Sequence, residues 1–337
     1  MTTRARLGVA VAAVALVASA TAVVAPPASA HRAVRIVTGS FLYSKGGKIH
    51  LAHANGTHDI VFKSGGWYWP SMANNGVIAA EREDRRAPDG VMGYTIHRFR
   101  QSGTELSRQN TPSSLSSIAC PSYPSYHVSL SPDGTKVAYD YVDCNGIFAT
   151  WTPATQFHLH TKVDYFAPSW ESNTQLTISH HGVTISDTQA EVGTWTTSGG
   201  STGRSADLAD TWATAYHATS TRNGKKIALI EDDAANYVDG VPRNVKLVLA
   251  TSGGPTGAIT RQCAISLPAS QYGNWNGSDY ANLTFRPDGN LLAFDSQAGI
   301  FKVHTTSLAG CTAASLNKQM WIRGAVNPSF SPATDTR

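Results

Sequence analysis

The stretch YHVSLSPDGTKVAYD, from Tyr126 to Asp140, limits what this chain can fold into more than any other, because it recurs. Apolar alternation through Val128 and Leu130 leads into Ser-Pro-Asp-Gly, where Pro presets φ and Gly accepts φ above zero. A second apolar run through Val137 and Tyr139 follows, and the whole predicts an antiparallel hairpin. ANLTFRPDGNLLAFD, from Ala281 to Asp295, repeats the pattern, and weaker copies begin at Tyr68, Phe166, Tyr216 and Asn327. In all six copies one position is a small hydroxyl residue: Ser71, Ser129, Ser169, Thr219, Thr284 and Ser329. The next is large and apolar in five of them, Ser220 being the exception. A hydroxyl held at one place in a β-repeat predicts a shared internal hydrogen bond rather than catalysis. A buried hydroxyl must be paired, and a repeat supplies the same partner each time.

Successive hydroxyl positions lie 58, 40, 50, 65 and 45 residues apart, near the period of propeller blades. Each interval has room for four strands, as with GIFATWTP and FHLHTKV after the Tyr126 copy, or NVKLVLATS and AITRQCAIS after the Tyr216 copy. The sixth copy has no room after it, but SFLYSKGG, KIHLAHANG and HDIVFK at the other end supply three strands that lack a first. The expected fold is all-β: a six-bladed β-propeller of four-stranded antiparallel blades. Its last blade would pair the C-terminal strand around Ser329 with the N-terminal strands, the first running from about Gly39 to Ser44. Such closure removes open sheet edges.

The Ser-Pro-Asp-Gly and Arg-Pro-Asp-Gly hairpins, each followed by an apolar strand ending in Asp, resemble the TolB-like (WD-repeat-like) β-propeller repeats over residues 31–337. The match is good at 128–140 and 283–295 and partial elsewhere, while Pro-Asp-Gly at 88–90 falls after a second strand and starts no repeat. The resemblance implies a secreted or envelope-associated binding propeller. The segment from His31 to Thr38 is too short for the N-terminal α/β domain of TolB itself, which puts a Tol-Pal role in doubt.

Arg4 and Arg6 precede an apolar run from Leu7 to Ala25, then Pro-Pro and Ala28-Ser29-Ala30. This predicts a signal peptide over residues 1–30, cut before His31, and a propeller domain over 31–337. The alternative is retention of the run as an anchor. No second long apolar run follows, so no integral membrane segment is expected after cleavage. Cleavage removes two arginines and no acid, taking the formal charge from +4 to +2. With basic residues scattered, no nucleic-acid footprint is expected. Cys120, Cys144, Cys263 and Cys311 suit an oxidising, extracytoplasmic setting. Three pairings are open, and the blade assignment favours Cys120 with Cys144 and Cys263 with Cys311.

Long connections are expected at 81–93, 110–125, 197–211, 231–244 and 266–279, all on the face where fourth strands lead into first strands and second into third. Long loops on a rigid scaffold are the usual carriers of binding. The first strands begin with aromatic or His residues, which give a rim large area at small entropic cost. The candidate binding residues are Trp69, Tyr126, His127, Trp212, His217 and Tyr280, with Arg85, Asp232 and Tyr237 from the long loops. The competing reading of the aromatics is core packing between blades. No Gly-x-Ser-x-Gly elbow, Asp-box or dependable ligand set is found, so no catalytic residue, metal or cofactor is assigned. Carboxylates at Glu81, Asp140, Asp232 and Asp295 keep open a glycoside hydrolase or lyase acting on extracellular polysaccharide. The favoured expectation is a monomeric, non-enzymatic scaffold engaging a protein, peptide or cell-envelope polymer.

Overall fold

The computed structural model describes residues 39–334 except 87–91, 111–124, 143–147, 153–156, 159–162, 183–190, 197–200, 208–212, 234–243, 255–256 and 273–281. The expected leader, Cys120 and Cys144 lie outside these. The described strands are β1 (Ser40–Lys45), β2 (Lys48–His53) and β3 (Ile60–Ser64); β4 (Trp67–Met72), β5 (Ile78–Arg86), β6 (Met92–Phe99) and β7 (Glu105–Asn110); and β8 (Ser125–Leu130), β9 (Val137–Val142), β10 (Phe148–Thr152) and β11 (Phe157–His158). They continue with β12 (Val163–Trp170), β13 (Gln175–Gly182), β14 (Glu191–Thr196) and β15 (Ser201–Asp207); β16 (Ala213–Ser220), β17 (Lys226–Asp233), β18 (Lys246–Ser252) and β19 (Ile259–Ser266); and β20 (Leu283–Phe285), β21 (Leu291–Ser296), β22 (Gly299–His304), β23 (Gln319–Arg323) and β24 (Ala325–Ser331).

Every pairing is antiparallel, in four-stranded sheets: β4 to β7, β8 to β11, β12 to β15, β16 to β19, β20 to β23, and β24 with β1 to β3. In the last of these Phe41 faces Phe330 and Leu42 faces Ser329. The strands β4, β8, β12, β16, β20 and β24 each lie against the next, and β24 lies against β4.

The middle strands β1, β18 and β21 carry continuous apolar runs because both faces of their sheets are covered, and the two-residue strand period sorts side chains between two cores. On β1, Leu42 packs with Ile78, Ala80 and Met72 of one neighbouring sheet. Phe41 and Tyr43, one residue to either side, pack with Leu291, Ala293 and Ile300 of the other. On β21 the same alternation sends Leu292 and Phe294 to a cluster with Ile230 and Leu247, and Leu291 and Ala293 to the Phe41 cluster. Each such large side chain contributes roughly 1.5 to 3 kcal/mol on burial.

The repeated hairpin turn is as the sequence predicts. Gly134 donates to Ser131 O at 2.8 Å, Gly224 to Thr221 O at 2.7 Å and Gly289 to Arg286 O at 2.7 Å, with φ of 71°, 62° and 67°. Asp133 Oδ1 accepts from the Thr135 amide at 3.0 Å and from Ser131 Oγ at 2.6 Å. Partial burial would raise the Asp133 carboxyl, but these hydrogen bonds outweigh it and hold it below the ordinary aspartate value. Turns are also tied from sheet to sheet, through Asn75 Nδ2 to Asp133 O at 2.7 Å and the Asp133 amide to Asn173 Oδ1 at 3.0 Å.

Cys263 on β19 is bonded to Cys311 in the connection between β22 and β23, as the sequence predicts. Four expectations need correction. Of the loop expected at 81–93, residues 81–86 extend β5 and Met92 already begins β6, so Arg85, like Asp232 on β17, is a strand residue rather than a loop residue. Within 197–211, Ser201–Asp207 is not loop but strand β15, whose sequence STGRSAD has no apolar alternation to reveal it. FHLHTKV is not one strand, since β11 holds only Phe157–His158 and Val163 already begins β12. Finally, a long connection on the other face, 305–318, escaped the loop assignment; Leu308, Cys311 and Leu316 anchor it in the core.

Candidate functional site: a cavity framed by the first strand of every sheet

The strands β4, β8, β12, β16, β20 and β24 all contribute side chains to one cavity of about 100 Å³. The six hydroxyl residues line it together. Five of them have the role the repeat predicts, tying neighbouring strands across the cavity wall. Ser71 Oγ on β4 accepts from the Leu130 amide on β8 at 2.9 Å. Ser329 Oγ on β24 accepts from the Met72 amide on β4 at 3.1 Å, and Thr284 Oγ1 on β20 from the Phe330 amide on β24 at 3.4 Å. Ser169 and Thr219 use their hydroxyls on each other, 2.9 Å apart. In the three amide bonds the donor belongs to the large residue that follows the neighbour's own hydroxyl, and Met72, Leu130 and Phe330 are buried. Ser220, which breaks the large-apolar rule, lies with its hydroxyl 2.9 Å from Thr177 Oγ1, itself 2.6 Å from Glu171 Oε1.

Just before the hydroxyl, five of these strands carry the same β-bulge. Between the pairs Tyr68–Glu81 and Ser71–Ala79, Trp69 and Pro70 oppose Ala80 alone, and the two-against-one count repeats at Tyr126–Ser129, Phe166–Ser169, Tyr216–Thr219 and Val326–Ser329. A bulge leaves one residue without a ladder partner. Pro70, Pro168 and Pro328 occupy that place, where a residue with no N–H loses nothing. The residue before takes left-handed backbone: Trp69 at φ 51°, His127 at 51°, Ala167 at 50° and Asn327 at 56°. For residues other than glycine this costs roughly 1 to 2 kcal/mol apiece, so something must hold it.

Asp295 shows what does. Fully buried, its Oδ1 accepts from the Asn282 amide at 2.8 Å and its Oδ2 from Asn282 Nδ2 at 3.0 Å and the Asn327 amide at 2.6 Å. The Asp that ends the repeat therefore fixes the left-handed residue of the adjacent sheet's first strand. With its oxygens committed to three N–H donors, Asp295 is a positioning group. Glu81 is likewise fully buried.

Arg222 is the residue sequence reasoning passed over. It takes the turn position that Pro132 and Pro287 fill in the strong repeats. Arg222 lines the cavity, and its Nη1 donates to Trp170 O at 2.7 Å. Burial pulls its pKa down to about 10. The only available signal was a cation where a turn residue was due.

Of the candidate binding residues, Trp69 and His127 line the cavity with ring centroids 4.9 Å apart. Trp69 is buried in a cluster with Val128 and Tyr139, which is the core-packing alternative. Tyr126 and His217 lie on β8 and β16, Arg85 on β5 and Asp232 on β17. Trp212, Tyr237 and Tyr280 lie outside the described residues. Tyr68, beside Trp69, is among the exposed large side chains, at 43%. Among the described residues no cluster of three or more His, Cys, Asp or Glu could hold a metal ion, and no helix is long and apolar enough to cross a membrane.

No protein-family model and no curated relative matches the chain. Solved structures do. TolB from Acinetobacter baumannii superposes with a TM-score of 0.53 at 13% identity, covering 87% of this chain and 66% of that one. A putative TolB from Agrobacterium tumefaciens aligns at 0.45 and 13%, over 68% and 78%, and a chain of the mitotic checkpoint complex at 0.43 and 11%, over 75% and 80%. The fold is that of the TolB-like propellers, all-β and built from four-stranded antiparallel sheets. At this identity the likeness is one of fold.

Proposed function

We propose that the chain is one six-bladed propeller, closed by β24 on β1, that is exported and binds a protein, peptide or envelope polymer at its long-loop face without turning it over. The observation that carries this reading is the cavity wall itself. Hydroxyl-to-amide bonds tie β20 to β24, β24 to β4 and β4 to β8, and a hydroxyl pair ties β12 to β16, which makes a rigid frame for loops rather than a set of reactive groups. The ring of adjacent first strands supports closure, and the Cys263–Cys311 bond supports an oxidising compartment. A glycosidase would need a carboxylate free to exchange protons, and Asp295 is committed to backbone and side-chain amides.

The experiment is a binding survey of the purified protein against cell-wall fractions and a peptide library. Trp212→Ala and Tyr280→Ala are then measured against whatever binds. Each is expected to weaken binding by about 1 to 2 kcal/mol if it anchors the partner. Hydrolysis of a glycan or peptide that is lost in Glu81→Gln or Asp232→Asn, with binding intact, would replace this reading with the hydrolase one.

A further inference from the structure

We infer that the cavity framed by the six first strands is a site for a small oxyanion, a carboxylate or an inorganic anion of similar size, with Arg222 as its counter-charge. The inference does not depend on what the long-loop face binds.

The turn does not require Arg222. Its geometry is set by the Gly224 amide on Thr221 O at 2.7 Å, and by Asn223 Oδ1, which takes the Thr221 hydroxyl at 2.7 Å and the Lys225 amide at 3.1 Å. Arg222 nevertheless lines the cavity, and among the described residues its one hydrogen bond is to Trp170 O. Among the described residues no carboxylate pairs with it, and no acidic residue lines the cavity. A guanidinium carries five N–H donors and no acceptor, so a single carbonyl leaves most of them unmatched.

The surrounding hydroxyls add donors. Ser71, Thr284 and Ser329 each spend a lone pair on the next strand's amide. That leaves each O–H proton to give, and all three residues face the same space. A partly buried cation that lines one cavity with these hydroxyl donors lacks acceptors and negative charge together, and an oxyanion supplies both through short, charge-assisted bonds. Partial desolvation lowers the basicity of Arg222, a cost that a bound anion would offset. The volume of about 100 Å³ sets the scale at a few non-hydrogen atoms, so a chain could present only its end or one acidic side chain.

Calorimetric titration of the purified protein at constant ionic strength, with sodium acetate, with sodium sulfate, and with a short peptide as free acid and as amide, tests this. Saturable binding is expected, at least tenfold weaker in Arg222→Met and partly kept in Arg222→Lys, which retains the charge but not the planar fork. Binding of acetate or sulfate alone identifies a free anion; binding of the peptide acid but not its amide identifies a carboxylate carried on a chain. Should Arg222→Met not fold, crystals of the unaltered protein soaked in bromide decide, with an anomalous peak within hydrogen-bond reach of Arg222 expected. No saturable titration with any probe, undiminished binding in a folded Arg222→Met, or no bromide peak at Arg222 overturns the assignment.

Discussion

The turns Ser131–Lys136 and Thr221–Lys226 close the same hairpin with different second residues, Pro132 and Arg222. Both place a left-handed glycine fourth, donating to the first residue's carbonyl at 2.8 and 2.7 Å. Both place Asp or Asn third, accepting an amide two residues on at 3.0 and 3.1 Å. The turn therefore rests on its third and fourth positions. The second is free to serve another end: Pro132 limits the unfolded chain, whereas Arg222 delivers a cation to the cavity. Frame and site are separable in this protein, and substitutions can take them apart.

Breaking the frame has the largest expected effect. Deleting residues 324–337 removes β24, the partner of β1 and the neighbour of β4 and β20. Cooperative thermal unfolding should be lost in calorimetry, and an unchanged transition would show that the other sheets stand without it. Next comes the disulfide, which joins residues 48 apart. Replacing both Cys263 and Cys311 by Ser should cost about 4 kcal/mol in the chain-entropy model, measured by denaturant unfolding. Asp295→Ala should cost about 2 to 4 kcal/mol, because it orphans buried donors in two adjacent sheets. A cost under about 1 kcal/mol would mean that the left-handed residues need no such restraint.

The smallest effects sharpen the comparison itself. Gly134→Ala and Gly224→Ala should each cost about 1 to 2 kcal/mol, since both positions have positive φ. At Gly134 a Cβ would also come within 3.0 Å of Asn75 Oδ1 and Val77 Cβ. Pro132→Ala and Arg222→Ala should stay under about 1 kcal/mol. A larger loss for Arg222→Ala than for Gly224→Ala would make the arginine part of the frame.

The architecture was legible because it repeats. Six hydroxyls at one place in a pattern reveal a shared bond without coordinates, and Ser-Pro-Asp-Gly reveals its own turn. Asp295 was visible as the end of a motif and as a candidate acid, but its role was not, because one of its donors, the Asn327 amide, lies 32 residues on in another sheet. β15 stayed hidden because a Gly- and Ser-rich strand lacks the apolar alternation that marks its neighbours. Arg222 was hidden by the weakness of its own copy, where a cation in place of Pro looked like degeneration of the repeat. For Asp295 and Arg222 the missing information was a partner distant in sequence, which spacing cannot supply.

Closure of the sheet order by β24 on β1 is the claim on which the rest stands, and native-state amide exchange tests it most directly. The amides of Phe41, Leu42 and Tyr43 sit on a strand paired on both sides and fully or almost fully buried. They should exchange only through global unfolding, together with the amides of β24 and with the same free energy as β18 and β21. Exchange of β24 well ahead of β18 and β21, at the rate of a frayed terminal strand, would contradict closure.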